Sequence, residues 1–180
     1  HGTEAAEGAW TDAIYLSKDA LWDISDRLLG RFERSGTLLP GQGYGGSLEA
    51  RVPPLADGQY RVIVRTDIFN QVPEGADEAN NRAAAPDAIA VSVEKLHLGT
   101  VLDTTLDTNQ TRVYRIDIGA DETLRVRLTS PAANAANEIF LRYGDIPSGI
   151  NFDAMYQDPL QPNQLAVIPN TKAGNYYVLI

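Results

Sequence analysis

Carboxylates gather in two stretches of the first half of this chain. Asp67-Ile68-Phe69-Asn70-Gln71-Val72-Pro73-Glu74-Gly75-Ala76-Asp77-Glu78-Ala79-Asn80-Asn81 contains four acids and three asparagines and no basic residue. Ser17-Lys18-Asp19-Ala20-Leu21-Trp22-Asp23-Ile24-Ser25-Asp26 places acids at i, i+4 and i+7 directly after a strand-like run. Hard oxygen donors in loops suit calcium, which takes six to eight oxygens in a flexible arrangement, better than a smaller octahedral ion. The candidate ligands are Asp19, Asp23, Asp26, Asp67, Asn70, Glu74 and Glu78. Neither stretch is an EF-hand, because the D-x-D-x-D-G spacing and the closing Glu are missing. The alternative for both is an acidic loop that is simply solvated.

Other chemistries find few parts. Cysteine is absent, which removes disulfides, thiolate metal sites and thiol nucleophiles. The two histidines are His1 and His97, and His97 lies in Lys95-Leu96-His97-Leu98, where the leucines are expected to face inward and the imidazole outward. Gly41-Gln42-Gly43-Tyr44-Gly45-Gly46 matches G-x-G-x-x-G, but Pro40 precedes it and Ser47–Val52 follows with strand-like alternation. A dinucleotide site needs a helix there, so a glycine-rich hairpin is expected. G-x-S-x-G does not occur. Trp10, Trp22, Phe69, Tyr143, Phe152 and Tyr156 could stack on sugars or pack in a core, and spacing alone does not sort them. No enzyme activity is expected.

The elements that would position these residues alternate with period two, as strands with one buried face do. Ala13–Leu16 is the first. Tyr60, Val62 and Val64 then oppose Arg61 and Arg65, and Ile89, Val91 and Val93 repeat the spacing. Tyr114, Ile116 and Ile118 alternate with Arg115 and Asp117, and Leu124, Val126 and Leu128 with Arg125 and Arg127, before a last run over residues 175–180. Turn signals such as Pro53-Pro54, Asp57-Gly58, Pro147-Ser148-Gly149 and Pro169-Asn170 separate the runs. Leu21–Phe32 is the best helical candidate and fits a loop at least as well. Short, punctuated strands without long intervening helices predict an all-β chain of two tandem β-sandwich domains, 1–94 and 95–180.

The chain has 180 residues and a net charge of −9. Residues 1–94 carry fifteen acids against eight bases, and residues 95–180 nine against seven, so the first half holds most of the charge. That balance excludes nucleic acid, whose binding rests on clustered cations. No run approaches the roughly 20 apolar residues of a membrane span.

Trp10–Asp19, Asp26-Arg27-Leu28-Leu29-Gly30, Gly58-Gln59-Tyr60, Asp67 through Glu74 and Glu78-Ala79-Asn80-Asn81 together resemble the bacterial CARDB, or cell-adhesion-related, domain. The resemblance covers residues 1 to about 94 and implies an immunoglobulin-like sandwich used as a repeated extracellular module. Gln110–Ile118, Glu122–Val126, Leu141-Arg142-Tyr143-Gly144 with Pro147, and Ala173–Leu179 are similar to the bacterial pre-peptidase C-terminal (PPC) type of β-sandwich. Such domains accompany secreted peptidases and surface proteins without carrying the catalytic groups, and some bind calcium. CARDB-like domains begin with two strands before the Trp10 segment, where this sequence has nine residues, and the PPC resemblance stops at Ile180 inside a strand. Both sandwiches are therefore expected to be incomplete at the chain ends.

These readings give a calcium-stabilised structural or adhesive module of a large bacterial surface or secreted protein, such as an adhesin, filament or surface layer. Its partners would be other copies, neighbouring repeats, or a cell-surface or polysaccharide ligand. The alternative is an accessory module that binds substrate or polysaccharide for a secreted hydrolase or peptidase.

Overall fold

Alternating apolar side chains with short turn-forming spacers leave little material for helices. The computed structural model describes residues 5–73 and 80–180, which contain strands and no α-helix. In chain order the strands are β1 (Ala6–Ser17), β2 (Arg27–Leu38), β3 (Gly58–Arg65), β4 (Arg82–Val91), β5 (Val113–Ile118), β6 (Leu124–Leu128), β7 (Phe140–Tyr143), β8 (Ala154–Met155), β9 (Gln164–Ile168) and β10 (Gly174–Leu179). The chain is all-β. It divides into two compact units, one comprising the residues up to Pro53 with Gly58–Val91, the other Pro54–Asp57 with Ser92–Ile180. The expected boundary at residues 94 and 95 thus lies close to the break after Val91, while Pro54–Asp57 packs with the second unit.

The first unit is built on one antiparallel sheet in the order β2-β1-β3-β4. Trp10, Asp12 and Ile14 alternate along β1, with Phe32 of β2 opposite Asp12 and Val64 of β3 opposite Ile14. Residues 43–56 form no strand. The expected glycine-rich hairpin is absent because this segment packs instead of pairing: Leu48 presses on Gly30, and the Phe32 ring lies beside Gly46. A methyl group at Gly30 would come within 2.9 Å of Leu48 Cδ2, so the Leu48 side chain would have to shift to admit one. The candidate helix Leu21–Phe32 resolves into a turn followed by β2.

Alternation misassigned part of β3. Tyr60 is buried, but Val64 is exposed, and the fully buried residue is Ile63, between Arg61 and Arg65. Its face is covered in part by cation–aromatic contacts: Arg65 lies 3.7 Å from the Trp22 ring centre, and Trp22 packs edge-on to Tyr15. Ile89 is also exposed. Between β3 and β4 the register slips, from Arg61 opposite Ala88 to Ile63 opposite Ala84. Ala85, Pro86 and Asp87 bulge out, and the Arg61 guanidinium donates to the Ala85 carbonyl at 3.1 Å and to that of Pro86. A proline in an edge strand at a bulge costs no ladder bond.

In the second unit a four-stranded sheet, β5-β10-β7-β8, and a two-stranded sheet, β6-β9, share one core. Tyr114, Ile116 and Ile118 on β5 meet Tyr176 and Val178 on β10, Leu141 on β7, Leu124 on β6 and Ala166 and Ile168 on β9. Here the predicted alternation holds residue by residue, with Arg115 and Asp117 on the opposite face of β5. Leu96 packs against this core, whereas Leu98 is exposed along with His97. Thr171 pins two turns together: its hydroxyl donates to the Gly119 carbonyl at 2.7 Å and accepts the Glu122 amide at 3.2 Å. Gln164, also buried, donates through Nε2 to the carbonyls of Asp158 and Gln161.

Tyr114 is 1 % exposed, and its hydroxyl has no partner among the described residues. Burying an unpaired hydroxyl costs about 1–3 kcal/mol. Tyr114→Phe is therefore expected to leave the thermal midpoint unchanged or raise it by about 2–4 °C per kcal/mol recovered. A midpoint several degrees lower would show that the hydroxyl does hold a partner.

Candidate functional site

Among the described residues of the first unit the most enclosed polar group is the Asp12 carboxylate, 1 % exposed and facing the same side of β1 as Trp10 and Ile14. A lone buried carboxylate would be prohibitively costly, so it must be hydrogen-bonded. Tyr44 donates its hydroxyl to Asp12 Oδ2 at 2.5 Å, and the Asp67 amide donates to Oδ1 at 3.0 Å. The same hydroxyl accepts the Trp10 indole N–H at 3.0 Å. Arg34 lies 4.4 Å from the Tyr44 ring centre, a cation–aromatic contact that holds the ring from the β2 side. Burial, then donation to Asp12, pushes the Tyr44 hydroxyl up to about 12. It stays protonated at neutral pH and works as a donor.

Asp67 extends this network into the loop after β3. Its backbone is in the left-handed region at φ 44°, and its oxygens accept the amides of Gln71 and Val72, each at 2.7 Å. The Ile68 amide bonds to the Thr11 carbonyl at 2.8 Å, and the Asn70 amide returns to the Asp67 carbonyl at 3.0 Å. Both carboxylates are therefore occupied by protein donors. Around them opens a groove of about 940 Å³, lined among others by Trp10, Phe32, Tyr44, Val64, Thr66 and Asn81. Its size is within the range of small-ligand clefts.

The seven candidate calcium ligands have separate local tasks. Asp19 Oδ1 accepts the Leu21 amide at 2.7 Å, and Asp26 Oδ2 accepts the Asp23 amide at 2.9 Å. Asp23 Oδ1 accepts both the amide and the hydroxyl of Ser25 at 2.6 Å, and those bonds hold its pKa below the usual carboxylate value. Asp67 is buried, and Asn70 is an exposed turn residue at φ 51°. Glu74 and Glu78 lie outside the described residues. Among the described residues no three acidic or histidine side chains converge as a metal site.

The aromatic candidates also divide. Trp10 is buried, Phe152 and Tyr156 pack on Phe140, and Tyr143 packs edge-on to Tyr176. Phe69 and Tyr143 remain exposed, Phe69 with Arg31 at 5.7 Å from its ring centre. Sequence reasoning passed over Asp12 and Tyr44. The signal for Asp12 was an acid at the inward parity between Trp10 and Ile14, but nothing local pointed to Tyr44, which lies 32 residues away. Comparison with family models, curated proteins and solved structures gives no match for this chain.

Tyr44→Phe strips Trp10 and Asp12 of a shared partner and is expected to cost about 1–3 kcal/mol. Asp67→Ala removes two charge-assisted amide bonds and places alanine at positive φ, so a larger loss is expected, about 3–4 kcal/mol. Denaturant unfolding followed by tryptophan fluorescence checks both, since Trp10 and Trp22 report the first unit. Unfolding midpoints equal to that of the unsubstituted chain would show that the network does not hold the loops.

Proposed function

We propose that this chain is a non-catalytic structural or adhesive module of a large bacterial surface or secreted protein, made of two β-sandwich-type units. The observation that carries the reading is the Asp12–Tyr44–Asp67 network, which commits the most buried carboxylates to fixing loops on a sheet. The resemblance of the quoted segments to CARDB and PPC domains supplies the extracellular, repeat-protein setting, with other copies or neighbouring repeats as partners. Calcium belongs to the reading through the exposed Asp19–Asp26 loop, where a bound ion would take over carboxylates now turned toward their own backbone.

Extracellular calcium sites bind at roughly 0.1–1 mM, and a ligand that binds only the folded state raises stability with its concentration. At a calcium concentration ten times the dissociation constant the gain is about 1.4 kcal/mol. The thermal midpoint is expected to rise by about 3–6 °C between excess chelator and such a concentration. Identical melts in the two conditions would remove calcium from the proposal.

The groove favours a second reading, an accessory module that holds a neutral polysaccharide for a secreted hydrolase. Thr66 and Asn81 line its wall, with the Thr66 hydroxyl donating to Asn81 Oδ1 at 3.4 Å. Gly45 lines the groove, and a Cβ added there meets nothing within 4 Å, so Gly45→Trp places a bulky ring at the groove wall without backbone strain. On this reading a glycan array shows binding that Gly45→Trp weakens at least about tenfold, the equivalent of 1.4 kcal/mol. An array without binding leaves the structural reading alone.

A further inference from the structure

Four residues break the order of the chain. Residues 39–53 and the strand β3 belong to the first unit, yet Pro54–Asp57 between them belongs to the second. Leu55 and Ala56 are buried, and Ala56 clusters with Ile146 and Tyr177 against Val93 and Val113. Asp57 closes the segment. Its amide donates to the Tyr177 hydroxyl at 3.2 Å, and that hydroxyl donates to Oδ2 at 3.0 Å. Oδ1 accepts the Val93 amide at 2.9 Å, and Arg115 Nη1 lies 3.1 Å from Oδ2. Arg115 Nε in turn forms an ion pair with Asp117 Oδ1 at 3.1 Å, and Lys95 pairs with Asp117 Oδ2 at 2.5 Å. Burial raises the Asp57 pKa, but the Val93, Tyr177 and Arg115 donors outweigh it and leave the carboxyl below its usual value.

We propose that Pro54–Asp57 is a folding clasp that makes the two units unfold as one cooperative transition. The second unit completes a hydrophobic cluster and an ion-pair chain with a segment it does not itself encode. Gly58, the next residue, opens β3, an inner strand of the first unit's sheet. Opening the second unit therefore frees the entry to β3, and opening the first pulls on a segment buried in the second. Two domains joined by an ordinary linker would share no such residues and would melt independently.

The two tryptophans, Trp10 and Trp22, both belong to the first unit, so their fluorescence follows that unit alone. Ile168→Val trims the core of the second unit and is mild enough to fold. In the full chain it is expected to lower the tryptophan-detected midpoint together with the circular-dichroism midpoint, by about 2–4 °C each. In the Asp57→Ala background, Ile168→Val is expected to lower only the transition of the second unit and leave the tryptophan midpoint in place. The proposal is overturned if the tryptophan midpoint ignores Ile168→Val while Asp57 is present. It is equally overturned if Asp57→Ala leaves the coupling intact.

Discussion

A fold with long irregular segments has to satisfy backbone amides and carbonyls that no ladder or helix pairs. Here the task falls to a few buried polar side chains. Asp67 takes two amides of its own loop, Asp12 takes the amide of Asp67, and Tyr44 brings the segment after β2 to Asp12. In the second unit Thr171 does the same for turns far apart in sequence, and Gln164 for the turn that leads into β9. Remove these groups and the sheets could still pair, but the loops between them would have no fixed course. Each such side chain is also costly to leave half-satisfied, which ties the loops' geometry to the cores beneath them.

The two units solve the problem of the sheet face differently. In the second, strands from two sheets supply a common core, so regular structure covers regular structure. In the first, the cover over Phe32 and Gly30 is the irregular segment carrying Gly46 and Leu48. An irregular cover fills space less evenly than a sheet would, and a groove remains beside it. The outer strand β4 meets the hazard of an open edge with Pro86 and a bulge that Arg61 closes, a feature that hinders pairing with another chain along that side.

The strands were legible because local alternation decides them. Val113–Ile118 and Leu124–Leu128 read correctly because each lies on a core that its own apolar residues nearly fill. Val64 misled because it lines the groove beside the irregular cover, and Ile89 because it lies on the edge strand β4, and alternation shows neither. Ser47–Val52 has the alternation of a strand but lies over a sheet face, and no local pattern encodes that choice. The acidic stretches drew notice by composition, yet the carboxylates that organise the first unit, Asp12 and Asp67, are defined by partners brought together in space. Asp57 was read only as half of an Asp-Gly turn, since its partners Val93, Arg115 and Tyr177 are 36 or more positions away.

The Gly30 notch gives the irregular cover something a hydrogen-bond ladder would otherwise provide. A ladder sets register by counting pairs, whereas a segment lying loosely on a sheet can slide. With Leu48 seated against Gly30 and the Tyr44 hydroxyl on Asp12, the segment gains two index points on the sheet. Insertions or deletions between Pro40 and Tyr44 would then be absorbed on the loop side of those points. The stretch from Tyr44 to Leu48 has a fixed length to keep.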